Sequence, residues 1–293
     1  MSATASLSVV TTSNPGRLTN LSVLSLDGSG NQMLTLGFVT GGVGTTGSQP
    51  LLIRGIGPAL STYSVTNTLP DPVISLFNGS TLVNSNSGWG STPTNITQVT
   101  AADAAVGAFI LPSTASLDSA MAVSLVPSPY TVQVSSKSNT TGNALAEVYD
   151  YTPSGTYSAT TPRLVNLSCL QRVNAGAILT AGFTISGATS KTVLIRASGP
   201  ILSSFNIPSI LPAMPDPVIN VFSGSNVIAS NKGWGGDSAV SSAAATVGAF
   251  AFTNLTSADS ALLITLASGN YTIQVSSASA VAGTTLIEVY EVP

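Results

Sequence analysis

Apolar and polar residues alternate along many short stretches of this 293-residue chain. In LTAGFTIS, residues 179–186, Leu, Ala, Phe and Ile alternate with Thr, Gly, Thr and Ser, and YTVQVSS (130–136) and YTIQVSS (271–277) behave alike. A period of two is typical of a β-strand with one face on a hydrophobic core. Only the alanine-rich runs before Val106 and Val247 are compatible with a helix. The pattern predicts an all-β protein.

The chain contains two copies of one unit. RLTNLSVL at position 17 returns as RLVNLSCL at position 163, and DPVISLFNGS at 71 returns as DPVINVFSGS at 216. LIR, GWG, VGAF, DSA and EVY also occur twice and in the same order. Such self-similarity indicates a tandem duplication.

Each copy carries roughly six to eight short apolar stretches, separated by Gly, Pro and Asn. This spacing is typical of an antiparallel β-sandwich. We therefore expect two tandem sandwich domains, of the jelly-roll or immunoglobulin-like type, at residues 17–150 and 163–293. Residues 1–16 would form an extended N-terminal arm, and residues 151–162 a linker.

The repeated motifs RLVNLS, LIR-x-x-GP, GWG, VGAF and EVY resemble a repeat of predicted secreted and surface proteins of bacteria, particularly of the Verrucomicrobia type. More distantly, the segment from DPVISLFNGSTLVNS to PYTVQVSS is similar to the bacterial pre-peptidase C-terminal domain, a β-sandwich appended to secreted enzymes. Neither family brings catalytic residues. The resemblance implies a non-catalytic extracellular module.

Charged residues make up only 6% of the chain, the net charge is -3, and histidine is absent. Nucleic-acid binding depends on clustered Lys and Arg, which this chain lacks. No apolar run approaches the length that spans a bilayer. The solvent-exposed surface must instead consist mainly of the uncharged polar and small residues Ser, Thr, Asn, Gln and Gly. This neutral surface suggests a location outside the cell or on its surface, with copies of the same chain as partners and polysaccharide as a second partner class.

The sequence offers no recognisable catalytic machinery. Without histidine the usual general base is missing, and no run of closely spaced carboxylates indicates a metal site. Asp118 and Asp259, in the two DSA motifs, invite comparison with the paired aspartates of an aspartic protease, but Ala stands where that motif has Gly. Cys169 replaces Val23 of the first copy, which indicates a small buried hydrophobe. We predict a non-enzyme without a cofactor.

Arg54 and Arg196 recur within apolar strands, in LLIRGIGP and VLIRASGP. An arginine on a strand of so charge-poor a protein is expected to have a specific acidic partner, because an unpaired buried charge is strongly destabilising. We therefore predict structural ion pairs rather than a ligand site. The recurring acids available as partners are Asp71 and Glu147 in the first copy, and Asp216 and Glu288 in the second.

Trp89 and Trp234 lie in glycine-flanked loops and are the only tryptophans. Two roles are open for them. Each indole could close the end of its sandwich, or it could lie exposed and stack on a sugar ring. The second role would make the protein a carbohydrate-binding or adhesive module.

The N-terminal arm contains SLSVVTT, in which Leu7 and Val9 share one face. Sixteen extended residues reach roughly 50 Å, well beyond the length of an ordinary strand. The arm could therefore add as a strand to the sheet edge of a neighbouring copy. Our leading hypothesis is a structural protein that assembles in this way into a filament or a surface layer.

Overall fold

A computed structural model describes residues 14–28, 32–210 and 212–293. Strands account for 48% of the chain and helices for 15%, and neighbouring strands are antiparallel, so the predicted all-β class is confirmed. Leu7 and Val9 of the predicted arm lie outside the described residues. Residues 14–16, the end of that arm, run beside the loop before Ser190, where Ala188 N donates a hydrogen bond to Asn14 O at 2.8 Å.

In the first copy a helix interrupts the strands after the fifth strand and packs over the end of the sheet. The turn that follows LLIRGI continues as a short 3-10 helix, Pro58–Tyr63, and a second one, Ser154–Thr156, lies in the linker. The strands and the α-helix are β1 (Arg17–Asp27), β2 (Thr35–Gly41), β3 (Gln49–Ile56), β4 (Pro72–Asn78), β5 (Thr81–Asn86), α1 (Pro93–Val106), β6 (Ser119–Leu125), β7 (Ser128–Ser136) and β8 (Gly142–Asp150).

The second copy repeats this order, so each of its strands and its α-helix has a counterpart in the first. Its 3-10 helices are Pro200–Phe205 and Pro208–Ile210. The strands and the α-helix are β9 (Arg163–Val173), β10 (Leu179–Ser186), β11 (Lys191–Ser198), β12 (Pro217–Ser223), β13 (Asn226–Lys232), α2 (Ser238–Thr246), β14 (Ser260–Leu266), β15 (Gly269–Ser277) and β16 (Gly283–Glu291).

The first strand of each copy joins the sheet of that copy to a strand of the other copy. β1 pairs on one side with β8 of its own copy and on the other side with β10. β9 pairs in the same way with β16 and with β2. Two long runs of strands result, in the orders β6-β3-β8-β1-β10-β15-β12-β13 and β14-β11-β16-β9-β2-β7-β4-β5.

A single hydrophobic core accompanies these shared strands. Leu21 of β1 and Leu167 of β9 belong to one buried cluster, together with the stacked pairs Phe38–Tyr130 and Phe183–Tyr271. Cys169 is buried in the same cluster, and burial raises the pKa of its thiol, as expected for a small hydrophobe in the interior. The division into two self-contained sandwich domains is not confirmed, because sheets and core continue from one copy into the other.

Each α-helix covers a smaller hydrophobic cluster at the end of its copy. Thr92 caps the start of α1 by accepting a hydrogen bond from Asn95 N. Gly107 caps its C-terminal end with a φ of +68°, which glycine adopts easily. Under α1 lie Leu52 and Trp89, and under α2 lie their counterparts in the second copy. The helices thereby bring residues 103–109 and 244–250 close to the two strand arginines.

We expect the isolated second copy, residues 163–293, to form a homodimer. Without β1, the open edge of β10 would accept β9 of another fragment, since RLVNLSCL of β9 closely matches RLTNLSVL of β1. Light scattering after size exclusion should give twice the fragment mass. A fragment that begins after β9, at residue 174, lacks the strand to exchange and should lose the dimer. A stable folded monomer of residues 163–293 would contradict the expectation.

Candidate functional site

Arg54 is completely buried and lies at the centre of a network of charged groups. The strand register sets it opposite Glu147 on β8, and its Nε donates a hydrogen bond to Glu147 Oε2 at 2.8 Å. Its Nη1 donates to Asp103 Oδ1 on α1 at 2.9 Å and to the carbonyl of Phe109 at 2.8 Å. The arginine thus ties two strands, the helix and the loop that follows the helix.

The same network continues beyond the arginine. Tyr149, two residues along β8, donates its hydroxyl to Glu147 Oε1 at 2.6 Å. The guanidinium lies over the ring of Phe109, 4.1 Å from its centroid. Burial alone would lower the pKa of Arg54, but the charges of Glu147 and Asp103 outweigh burial and raise it. Arg54 is therefore held permanently charged.

The second copy has a weaker version of this network. Arg196 lies opposite Glu288, with Nε 3.3 Å from Oε2 but without hydrogen-bond alignment, and Nη1 donates to Phe250 O at 2.8 Å. Tyr290 donates to Glu288 Oε1 at 2.6 Å. Ala244 occupies the position of the second acid. With one carboxylate instead of two, burial dominates and lowers the pKa of Arg196.

The predicted pairing of Asp71 and Asp216 with the arginines is wrong. Each of these aspartates precedes the proline that begins β4 or β12, and accepts a hydrogen bond at 2.6 Å from Ser136 or Ser277 respectively. Neither forms an ion pair within the described residues. The two acids instead fix the turn after β7 or β15 against the start of the neighbouring strand.

Asp103 is a partner that the sequence analysis did not identify. It lies on α1, where burial raises its pKa and Arg54 opposes that rise. The second copy has no acid at this position. Asp103 therefore does not recur, and recurrence was the property by which the other acids were recognised. The repeated VGAF and EVY motifs did carry a signal, because Phe109 and Tyr149 belong to them and both contact the network.

Asp118 and Asp259 hold the glycine-proline turns. Asp118 is fully buried, and its Oδ1 accepts hydrogen bonds from Gly57 N at 2.8 Å and Ala59 N at 3.2 Å. Asp259 accepts in the same way from Gly199 N at 2.7 Å. The DSA motif therefore holds the LIR-x-x-GP turn in each copy, and its aspartates serve as acceptors for backbone amides.

Trp89 and Trp234 are 5% and 4% exposed, so neither ring face is open to a sugar. Their indole Nε1 groups donate to Ser113 O and Asn254 O, both at 3.0 Å. Of the two roles open to the tryptophans, the structure favours closure of the core. The predicted glycan contact at these residues is corrected accordingly, because the loop folds the indole inward under the helix.

Four strands of the described chain pair on one side only: β5 and β6 in the first copy, and β13 and β14 in the second. β5 carries no charged residue, and β13 has only Lys232, at its last position. Leu82 is 54% exposed and Val227 is 55% exposed. Charged side chains usually protect an edge from further pairing, and these two edges have almost none.

Asp27, at the end of β1, is a buried acid outside these networks. Its Oδ1 accepts a hydrogen bond from Leu34 N at 2.7 Å, while Oδ2 has no hydrogen-bond partner among the described residues. Burial raises the pKa of this carboxyl to about 7, against the opposing effect of the backbone hydrogen bonds. Asp27 therefore changes its charge near neutral pH.

Within residues 14–28, 32–210 and 212–293, no three His, Cys, Asp or Glu side chains come together as a potential metal site. In the same parts of the chain, every helix is too short or too polar to span a bilayer.

Comparison with known proteins gives little guidance. No family model matches the chain, and no curated protein matches it. Solved structures that match include a chain of the Sputnik virophage, with 9% identity over 99% of this chain and 88% of that chain, at a TM-score of 0.17. A similarity at this level supports no conclusion about fold or function. The resemblance to bacterial surface repeats stays a prediction.

We expect Arg54→Met to destabilise the protein more than Arg196→Met. Removing one partner of a buried ion pair costs about 3–5 kcal/mol. Arg54→Met leaves two buried carboxylates without their cation, whereas Arg196→Met leaves one. The two losses of unfolding free energy should therefore differ by roughly 1–2 kcal/mol. Urea unfolding measures both, with the exposed Lys137→Met as the control for losing a cation. Equal losses would show that Asp103 adds nothing to the first network.

We expect Asp27→Asn to stabilise the protein at pH 8. The folded-state pKa of about 7 lies above the ordinary 3.8, so the folded protein binds a proton that the unfolded chain has lost. Wild-type stability should therefore fall as pH rises from 4 to 8. Asparagine avoids this loss, which is worth roughly 2–4 kcal/mol at pH 8 and little at pH 4.

Thermal or urea unfolding of wild type and Asp27→Asn across this pH range measures the effect. Asp237→Asn, at the exposed N-cap of α2, removes one negative charge elsewhere and serves as the control. A constant difference between wild type and Asp27→Asn at all pH values would disprove titration of Asp27.

Proposed function

We propose that this chain is a non-enzymatic extracellular structural protein that assembles into a filament or a surface layer. Copies of the chain would join by β-strand addition. The N-terminal arm of one copy, with Leu7 and Val9 on one face, would pair with an open sheet edge of the next. Such contacts join different surfaces of neighbouring copies. Copies can therefore be added one after another into an open assembly instead of forming a closed ring.

The observation that carries the proposal is the pair of nearly uncharged edges, β5 and β13. Among the residues that the structure describes, no strand pairs with one side of each edge. Each edge exposes apolar side chains, Leu82 and Val83 on β5, Val227 and Ile228 on β13. Exposed edges with few charges and some apolar side chains are the kind of strand to which another strand adds. The six residues of β5 are well within the reach of the arm.

The location of the few charges supports a structural role. Arg54, Glu147, Arg196 and Glu288 are buried and used within the fold, so little charge remains for the exterior. Net charge keeps proteins apart, and a surface of Ser, Thr, Asn and Gly repels a neighbouring copy only weakly. An extracellular location agrees with this composition.

We further propose that each copy is a sandwich-like half of one assembly unit, with residues 17–150 and 163–293 as the halves. Antiparallel strands, a common core and an α-helix over each end support this arrangement. The shared strands would make both halves move as one body in an assembly.

Deleting residues 1–13 should abolish assembly. The deletion removes most of the arm, including Leu7 and Val9, but keeps Asn14 and its contact with Ala188, so the folded body should be unaffected. Negative-stain electron microscopy should show filaments or sheets for the full chain and dispersed particles for the truncated chain, with matching circular dichroism. Assemblies unchanged by the deletion would rule out the arm.

A second set of variants tests the edges. Val83→Lys and Ile228→Lys each add a charge to an open edge and should reduce assembly at least tenfold, measured by sedimentation. Ile110→Lys adds the same charge at an exposed residue outside any strand and should leave assembly intact. An equal effect of all three would indicate general repulsion instead of edge pairing. A full chain that never assembles would refute the proposal.

A further inference from the structure

A pocket of about 270 Å³ lies between the last turn of α1 and the loop that follows the helix. Ala104, Ile110 and Leu111 make its walls largely apolar. Asp103 is the one charged residue of the described chain that lines it. The volume lies just below the roughly 300–1,000 Å³ typical of sites for drug-sized molecules, so the pocket suits a smaller ligand.

Asp103 presents an unused oxygen to this pocket. Arg54 Nη1 donates to one carboxylate oxygen, Oδ1, at 2.9 Å, and thereby fixes the orientation of the side chain. The other oxygen, Oδ2, accepts no hydrogen bond from the described residues. The side chain keeps 7% of its surface exposed, and Oδ2 does not belong to the unpartnered atoms that the fold encloses completely. A ligand can therefore reach this oxygen, whereas a nearly buried carboxylate would ordinarily have partners on both.

Two features make the pocket attractive to a cation. The buried network joins the single cation of Arg54 to two carboxylates, Glu147 and Asp103, so its net charge is negative. The last turn of α1 borders the pocket, a helix C-terminus carries partial negative charge, and this turn has no basic residue. Burial raises the pKa of Asp103 although Arg54 opposes the rise, so the guanidinium does not fully compensate for burial of this acid.

The second copy lacks both the carboxylate and the space. Ala244 stands in place of Asp103, and Phe252 stands in place of Leu111. The ring of Phe252 packs against Trp234, with 5.7 Å between the ring centroids. The corresponding pocket measures only about 90 Å³. The free acid and the room beside it occur together in one copy and are absent together from the other, as expected of a binding site rather than of a packing defect.

We infer that this pocket binds a small primary amine with a compact apolar group. The ammonium would donate a hydrogen bond to Asp103 Oδ2, and the alkyl or aryl group would lie against Ala104, Ile110 and Leu111. A neutral alcohol can donate the same hydrogen bond but lacks the attraction between opposite charges. The site is separate from the edges β5 and β13, and the inference holds whether or not the chain forms filaments.

Isothermal titration calorimetry of the full chain tests the inference. The probes are isoamylamine, benzylamine and 2-phenylethylamine, each compared with the alcohol that carries a hydroxyl group in place of the amine. At least one amine should bind with a Kd of about 1 mM or lower. Its alcohol counterpart should bind at least roughly tenfold more weakly, because the hydrogen bond to the carboxylate then lacks a charged donor.

Two variants assign the binding to this pocket. Asp103→Asn keeps an oxygen for Arg54 but removes the charge and replaces Oδ2 by a donor, so the amine should bind at least roughly tenfold more weakly. Leu111→Phe introduces the residue that the second copy has at this position and should weaken binding by narrowing the pocket. Asp237→Asn, at the exposed N-cap of α2, and Leu117→Phe, at an exposed leucine outside the pocket, are matched controls that should bind like wild type.

Thermal unfolding establishes that each variant is folded before titration. The inference is overturned if none of the three amines binds, if the matching alcohol binds as tightly as the amine, or if a folded Asp103→Asn or Leu111→Phe protein keeps the wild-type affinity. Equal weakening by Asp237→Asn would also overturn it, because the attraction would then come from the overall charge of the protein. If Asp103→Asn does not fold, Leu111→Phe and the comparison with the alcohol decide the question.

Discussion

The pairing of β1 with β10 and of β9 with β2 is the constraint on which the rest of the structure depends. Each of these first strands has hydrogen-bonding partners on both sides, one in its own copy and one in the other. Because both edges are occupied, the two copies share their sheets and their core. The four open edges of the described chain consequently lie on other strands, β5, β6, β13 and β14.

Charge in this protein is concentrated where it organises the fold. The Arg54 network ties β3, β8 and α1 to one another, whereas the Arg196 network ties β11 and β16 to the loop that follows α2. A buried ion pair contributes little net stability compared with apolar residues of the same size. It does disfavour misfolded arrangements, because a misplaced partner leaves a buried charge unpaired. With so few ions, the exterior is left to uncharged polar groups.

The strand class, the duplication and the expectation that Arg54 and Arg196 have acidic partners could be predicted from the sequence, since alternation and recurrence are local signals. Glu147 could be distinguished from Asp71 only by knowing which strands pair. The pairing of β1 with β10 of the other copy could not be predicted, because β1 and β9 are so similar in sequence that either could pair with β10. Trp89 could not be assigned to the interior, since its loop has no periodicity.

The shared strands also determine the order in which the parts of this chain can fold. While the protein is being synthesised, β1 can pair with β8 as soon as the first copy is complete, but its other side stays bare until β10 emerges with the second copy. Contacts between residues so distant in sequence form slowly, because a long loop must close first. The fold therefore closes only after β10 has been synthesised, and a shorter nascent chain carries an unprotected strand that invites aggregation.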